Sequence, residues 1–200
     1  MKQKVLLASN NAHKIKEIRA ILGDFFDIVS LREAGVESDP EETGKTFEEN
    51  ARIKAVAGMK ASGMPCIADD SGLEVLSLDC RPGVMSARYS GSHGDDAANN
   101  EKLLAELADK PDRSARYVCV ICMAFPDGRE LEARGECYGE ILKEKRGNGG
   151  FGYDPLFYFP QFGKTFAEIS AEEKKQGIQL ASEQRHAVTT ALTSQLSVIT

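Results

Sequence analysis

The first thirty residues alternate between short apolar runs and a stretch of helical spacing. The run KVLLA at 4–8 predicts a buried strand, because a short apolar run followed by a polar cluster is typical of one. Apolar residues recur at helical spacing over 12–22, and Gly23 follows as the expected C-cap. A second strand is predicted over 26–30. This order of elements opens a βαβ unit.

Two more helices and several strands are predicted further along. Thr46 and Glu49 form a capping box at the start of a helix that extends to Lys60. Leu103, Leu104 and Leu107 indicate an amphipathic helix over 99–108. Further segments are a short strand at 66–68 leading into Asp69-Asp70-Ser71-Gly72, a loop region at 81–96, a strand at 156–159 and helix from 171 to the end.

Two long extended stretches, 116–125 and 129–141, are joined by Pro126-Asp127-Gly128, which predicts a hairpin turn. Helices mixed with strands and one antiparallel hairpin predict an α/β fold with a mixed β-sheet covered by helices. Since no linker or repeat interrupts residues 1–200, we expect a single domain.

Composition and charge narrow the class of protein. With 42% hydrophobic and 28% charged residues the chain is typical of globular proteins. The net charge of -6 disfavours a nucleic-acid partner, although local lysines and a metal can still attract a small anion. No run approaches the roughly 18 apolar residues of a membrane helix, and the first apolar run is too short for a signal peptide. We expect a cytoplasmic protein.

The five cysteines do not suggest a disulfide framework, since their number is odd and the chain is not small. Cys119 and Cys122 have the spacing of a zinc knuckle, but no second pair follows. In a strand, residues three apart point to opposite faces, so we expect buried thiols and not a metal site.

The first candidate site is the loop Ser9-Asn10-Asn11-Ala12-His13-Lys14 between a strand and a helix. Backbone N–H groups at a helix N-terminus favour an anion, and Lys14 adds a positive charge, which together suit phosphate. The loop lacks the glycines of a Walker motif. The alternative is that Asn11 caps the helix and Lys14 is a solvated surface residue.

Carboxylates supply the second and third candidates. Asp69 and Asp70 follow an apolar strand, and paired carboxylates there suit Mg²⁺; the alternative is a turn. Glu42 lies in the acidic loop PEETGK, before a helix that places Asn50 and Lys54 on one face. Lys54 is then a candidate phosphate contact and Glu42 a metal ligand, unless both are simply solvated.

The fourth candidate is the loop GGFGYDP at 149–155. Glycines allow the backbone to approach a flat ligand, with Phe151 or Tyr153 stacking on a base and Asp154 binding a polar edge or a ribose hydroxyl. A structural turn with aromatics in the core has the same composition.

The motifs taken in order resemble the inosine/xanthosine triphosphate pyrophosphatase family. They are S-x-N-x-x-K-x-x-E from Ser9, EETG with F-x-E-N-x-x-x-K-A, ADDSGLEV, SARYSG and GGFGYDPLF, and they span roughly residues 4 to 175. The resemblance implies an elongated mixed sheet flanked by helices, with two lobes around a central active-site cleft, usually in a homodimer. It also implies Mg²⁺-dependent hydrolysis of ITP, dITP and XTP to the monophosphate and pyrophosphate.

The same resemblance implies roles for individual residues. Residues Ser9 to Lys14 would bind the triphosphate, and Glu42 and Asp70 would bind Mg²⁺. Asp70 or Asp69 would accept the proton of the attacking water. Further substrate contacts would come from Lys54, Ser71, Phe151, Gly152, Tyr153, Asp154 and Lys174.

The chain departs from the family pattern in one block. The family has Ser-His-Arg shortly after the lysine of the EEK block to contact the purine, and here those positions hold Gln179 and Leu180. Arg185 and His186 come later, in the opposite order. Either they substitute after a short insertion, or base recognition is altered. Two other functions stay open: a Maf-like pyrophosphatase for pyrimidine or modified nucleotides, and a nucleotide-binding protein without turnover.

Overall fold

The computed structural model describes residues 2–170 and Glu173, without the side chains of Ala12, His13, Glu17 and Ile21. Within this part the strands are β1 Gln3–Leu7, β2 Phe26–Ser30, β3 Cys66–Val75, β4 Arg81–Pro82, β5 Ser114–Ala124, β6 Glu130–Ile141, β7 Phe157–Phe159 and β8 Lys164–Thr165. The α-helices are α1 Ala12–Leu22, α2 Leu31–Ala34, α3 Phe47–Ser62 and α4 Asp96–Glu106, with 3₁₀ turns at Leu76–Leu78 and Gly83–Arg88.

The strands of the described chain form one mixed sheet, in the order β2-β1-β3-β5-β6-β7-β8, with β4 paired to β3. β1 runs parallel to β2 and to β3. β3 and β4, β6 and β7, and β7 and β8 pair antiparallel. The predicted mixed sheet with helices is therefore confirmed.

The chain divides into two compact units, and the boundaries fall within β3, β5 and β6. The first unit contains 2–70 and Cys119–Arg134. One of its apolar clusters is built on Leu6, Leu31 and Cys66, with Met59 and Met64 packed against it. Gly58 lies in the middle of α3 because a Cβ there would meet Sγ of Cys66, so only glycine lets the helix approach the sheet this closely.

The second unit contains Ser71–Val118 and the described residues from 135 onward. Its apolar cluster joins the second half of β3 to α4 and to the segment that leads into β7. The buried members are Leu73, Val75, Leu78, Tyr89, Leu103, Leu107, Ala115, Ile141, Tyr153, Leu156 and Phe157. Through Tyr153, this cluster anchors the glycine-rich loop at 149–154.

Most predicted elements within the described residues are confirmed, with three corrections, and the predicted helix from 171 to the end lies outside the described residues. The Thr46–Glu49 capping box is present, and the hairpin turn closes with Gly128 donating to the carbonyl of Phe125 at 3.0 Å. β3 is one continuous strand, so the predicted end of the strand at Ala68 is wrong, and so is the alternative of a turn at Asp69 to Gly72. Helix α4 begins at Asp96, inside the predicted loop region and before the predicted start, because Asp95 caps it.

The third correction concerns the cysteines. All five lie in the described chain and none is in a disulfide, as predicted. Cys122 is buried and Cys119 is exposed, which confirms opposite faces but corrects the expectation that both thiols are buried. Among the described helices, none has the length and apolar character needed to cross a bilayer.

Candidate active site

The ammonium group of Lys54 lies between two carboxylates in the first unit. Its Nζ is 2.9 Å from Oε1 of Glu42 and 3.1 Å from Oδ1 of Asp70. Helix α3 supplies Lys54, β3 supplies Asp70, and the acidic loop before α3 supplies Glu42. Three segments that are separate in sequence therefore bring one positive and two negative groups to a single point.

Asn50 fixes this arrangement from the same helix face. Its side chain is fully buried; Nδ2 donates to Oδ2 of Asp70 at 3.3 Å, and Oδ1 accepts the N–H of Gly44 at 2.8 Å. The positions of Asn50 and Lys54, four residues apart, place both side chains over the same stretch of β3. The amide thus connects the acidic loop to the carboxylate of Asp70.

Charge and burial oppose each other in this cluster. Burial raises the pKa of the Asp70 carboxyl, with a further contribution from Glu42, while the ammonium of Lys54 acts against the rise. Burial by itself would lower the pKa of Lys54, but Asp70 and Glu42 together outweigh it, so this pKa is raised. Lys54 therefore stays charged, and Asp70 is a better proton acceptor than an exposed aspartate.

Lys14 forms a second ion pair with Asp69, the residue that precedes Asp70 in β3. Nζ of Lys14 is 2.5 Å from Oδ2 of Asp69, and Asp69 is buried. Asp69 and Asp70 are consecutive residues within β3, so their side chains leave the strand on opposite sides and meet different lysines. The expectation that the two carboxylates follow the end of a strand is wrong, because the strand continues to Val75.

The loop before α1 is ordered by its own polar groups. The N–H of Asn11 donates to Oγ of Ser9 at 3.2 Å, and the N–H of Lys14 donates to Oδ1 of Asn11 at 3.3 Å. Asn11 therefore caps the first turn, as its alternative interpretation proposed, while Lys14 is engaged with a buried carboxylate. Asn10 is exposed, and the side chains of Ala12 and His13 lie outside the described set.

The donor atoms in the first unit fit a hard divalent cation. Glu42 and Asp70 offer carboxylate oxygens that already converge on one positive charge. Mg²⁺ is usually bound by one or two carboxylates and takes its other ligands from phosphate and water. No cluster of three or more His, Cys, Asp or Glu side chains arranged for a metal occurs in 2–170 and Glu173, so phosphate oxygens would have to complete such a site.

The aromatic residues of the loop at 149–154 are placed in different surroundings. The side chain of Phe151 is 68% exposed, whereas Tyr153 is buried and its hydroxyl donates to the carbonyl of Ser86 at 2.9 Å. Of the two rings, that of Phe151 is accessible for stacking, while Tyr153 packs in the apolar cluster of the second unit. The structural alternative is thus right for Tyr153.

Asp154 is buried, and both of its carboxylate oxygens accept hydrogen bonds. Tyr117 donates its hydroxyl to Oδ1 at 3.1 Å, and the N–H of Phe151 donates to Oδ2 at 3.2 Å. Burial and the Asp154 charge raise the pKa of Tyr117 well above its ordinary value, so the hydroxyl remains a donor. A side chain at Gly150, which has φ +75°, would collide with Asp154. Tyr117 was missed by sequence reasoning because 37 positions separate it from Asp154.

Some of the remaining predicted site residues are described by the structure and others are not. Ser71 follows Asp70 in β3 and is exposed. Gly152 lies in the loop with φ +58°. Lys174, Arg185 and His186, with the departure at Gln179 and Leu180, lie outside the described residues.

Lysines, together with carboxylates that can hold a divalent cation, are groups that enzymes use to act on phosphorylated substrates. The sequence profile of the Ham1 family matches residues 5–193. The chain belongs to this family, which confirms the resemblance found in its motifs.

Individual relatives agree with this assignment. The chain is 55% identical over 173 residues to the dITP/XTP pyrophosphatase of Desulfotalea psychrophila, covering 86% of this chain and 78% of the relative. It is 51% identical over 181 residues to the dITP/XTP pyrophosphatase of Clostridium perfringens, covering 86% and 89%. The solved structure of a HAM1 protein from Coxiella burnetii has a TM-score of 0.86 at 40% identity, covering 96% of this chain and 99% of that one.

Proposed function

We infer that the chain hydrolyses non-canonical purine nucleoside triphosphates, namely ITP, dITP and XTP, to the nucleoside monophosphate and pyrophosphate. This reaction removes deaminated purines from the nucleotide pool. The observation that carries the inference is the ammonium of Lys54 held between Glu42 and Asp70, in a chain 55% identical to a dITP/XTP pyrophosphatase.

We propose that Lys14 and Lys54 bind the triphosphate. A nucleoside triphosphate carries about four negative charges, which the ammonium groups of Lys14 and Lys54 partly offset. Lys14 is aligned by the capped loop from Ser9, and Lys54 is aligned by its two carboxylates. Ser71, exposed on β3 next to Asp70, is the proposed hydroxyl contact to phosphate.

We propose that Glu42 and Asp70 hold Mg²⁺. When bound, Mg²⁺ offsets phosphate charge and lowers the pKa of a coordinated water. Asp70 is the first candidate acceptor for the proton of the attacking water, and Asn50 keeps its carboxylate in place through Oδ2. Asp69 holds Lys14 and is the second candidate acceptor.

For the base and sugar, we propose contacts from Phe151, Gly152 and Asp154, with the exposed Phe151 ring stacking on the purine. Tyr153 supports the loop from the core. Lys174, Arg185 and His186 stay predicted contacts. The homodimer likewise stays a prediction, and sedimentation equilibrium would measure it.

The test is a substrate panel. Purified protein is incubated with ITP, dITP, XTP, dGTP, dATP, dTTP and UTP, with Mg²⁺ and with EDTA, and pyrophosphate release is followed. We expect release from the first three with Mg²⁺ and little without it. Absence of release from every nucleotide, in protein that circular dichroism shows to be folded, overturns the proposal. Faster release from dTTP or UTP would favour the Maf-like alternative, and tight ITP binding without release would favour a binding protein.

A further inference from the structure

Two residues at the start of α4 hold the peptide backbone of Gly152. Oδ2 of Asp96 accepts the N–H of Gly152 at 2.7 Å, and Nδ2 of Asn100 donates to the carbonyl of Gly152 at 2.8 Å. Asp96 and Asn100 are four residues apart, so they share one face of the helix. Both peptide groups that flank Gly152 are therefore fixed by one helix.

The side chain of Asn100 is poorly explained by stability alone. It is 3% exposed, and Nδ2 also donates to the carbonyl of Asp96 at 2.6 Å. Its Oδ1 is buried and accepts no hydrogen bond from any residue that the structure describes. A buried amide oxygen without a hydrogen bond destabilises the folded state, so an apolar residue would suit packing better at this position. The amide does, however, donate the hydrogen bond to the carbonyl of Gly152.

Within the loop, the backbone of Phe151 is tied only to Asp154: its N–H donates to Oδ2 at 3.2 Å and its carbonyl accepts the N–H of Asp154 at 3.1 Å, and the bonds at Gly152 add to this hold. Tyr153 and Asp154, on the far side of Gly152, are anchored in the core by Ser86 and Tyr117. Phe151 precedes Gly152, and its ring is 68% exposed. Gly152 is glycine at positive φ, where the backbone has more freedom than at any other residue type. The two bonds from α4 remove that freedom at the point where the chain leaves the core.

Helix α4 is a rigid support for these bonds. Asp95 caps it by accepting the N–H of Ala98 at 3.0 Å, and Leu103 is fully buried in the apolar cluster of the second unit. Side chains on a packed helix have more precisely fixed positions than side chains on a loop. The distance between a stacking ring and a purine tolerates little error, so a rigid support matters here.

We propose that Asp96 and Asn100 are positioning residues for purine selection: by fixing Gly152 they hold Phe151 in the orientation that accepts a deaminated purine. This inference rests on the proposed function, because it assumes that the loop contacts the base. Neither residue touches the substrate. dITP and dGTP differ by one exocyclic amino group on the purine, so a loosened ring should admit dGTP more readily and bind dITP less tightly.

The experiment compares Asp96→Ala and Asn100→Ala with Asp96→Asn, whose side chain keeps an oxygen acceptor for the N–H of Gly152. Each loss of one hydrogen bond should raise KM for dITP about threefold to tenfold with little change in kcat, and should lower the dITP to dGTP ratio of kcat/KM. Asp96→Asn should recover most of the loss. Inhibition by inorganic tripolyphosphate, which has no base, should be unchanged.

Asp95→Ala is the matched control. It removes the cap of α4 without removing a bond to Gly152, so it should lower Tm and leave the discrimination ratio as in the wild type. If Asp95→Ala and Asp96→Ala change the ratio equally, or if neither Asp96→Ala nor Asn100→Ala changes it, the inference is overturned. If the wild type itself releases no pyrophosphate from dITP, the proposed function fails instead.

Discussion

Nζ of Lys54 and Oδ1 of Asp70 are 3.1 Å apart, although 16 positions separate them in the chain. The same Nζ is 2.9 Å from Glu42, so one ammonium serves two carboxylates. The ammonium of Lys54 therefore offsets the charge of both carboxylates at one point.

Lys54→Met removes that charge and retains the apolar stem. We expect a loss of about 1–3 kcal/mol in unfolding free energy, less than for a fully buried cluster because the side chain of Glu42 is 30% exposed. Mg²⁺ should stabilise this variant more than the wild type, since the cation can replace the missing ammonium. Thermal unfolding with and without MgCl₂ measures both effects. Lys60→Met, an exposed lysine on the same helix, is the control. Equal Mg²⁺ shifts in all three proteins would contradict the expectation.

Asp70→Asn keeps the shape of the side chain and removes its charge. If Asp70 accepts the proton of water, pyrophosphate release from dITP should fall by about 10²–10⁴. The fold should persist, because the amide oxygen can still accept a hydrogen bond from Lys54 or Asn50. Steady-state kinetics and circular dichroism test the two statements. Asp109→Asn, at an exposed position, should behave as the wild type. Turnover close to the wild type in Asp70→Asn would remove Asp70 from the mechanism.

The free energy of unfolding should depend on pH through the titration of Glu33. The N–H of Ser30 and the guanidinium of Arg19 hold the pKa of Glu33 at about 2, below its ordinary 4.5. Because the folded pKa is lowered, the stabilisation is complete above 4.5 and is lost as the pH falls through about 2. Glu33→Gln should therefore have a lower Tm than the wild type at neutral pH, and the difference should close across this window.

The control for that comparison is Glu101→Gln, an exposed position on α4. Its Tm should follow the wild type at every pH. A gap between wild type and Glu33→Gln that stays constant down to pH 2 would show that the ion pair and the capping box contribute no linked stability.

The cysteine thiols should differ in how fast they are alkylated. Cys119 is exposed, while burial raises the pKa of Cys66 to about 12 and that of Cys122 to about 11. The thiolate is the reactive form, so iodoacetamide should modify Cys119 first in the native protein at mildly alkaline pH. Peptide mass mapping follows the rates, and Cys119→Ser should remove the fastest phase. Modification of Cys66 as fast as Cys119 would be incompatible with the described packing.

Local sequence patterns gave correct predictions where the structure depends on interactions between residues close in the chain. The capping box of Thr46 and Glu49, the turn at Gly128 and the alternation of Cys119 and Cys122 depend on residues within a few positions. The same kind of signal failed at Asp69 to Gly72, where polar residues and a glycine suggested a turn. Pairing with neighbouring strands holds that segment extended, and tertiary context overrides such local preferences.

The sequence by itself determined the mixed α/β class, most helices and strands, and the residue types that phosphate and metal chemistry need. Only the tertiary structure decided that Lys14 meets Asp69 while Lys54 meets Asp70, and that Phe151 is exposed while Tyr153 is buried. It also revealed the hold of Asp96 and Asn100 on Gly152. The reason is that backbone preferences and caps act over one helical turn, whereas ion pairs and burial depend on which distant segments pack together.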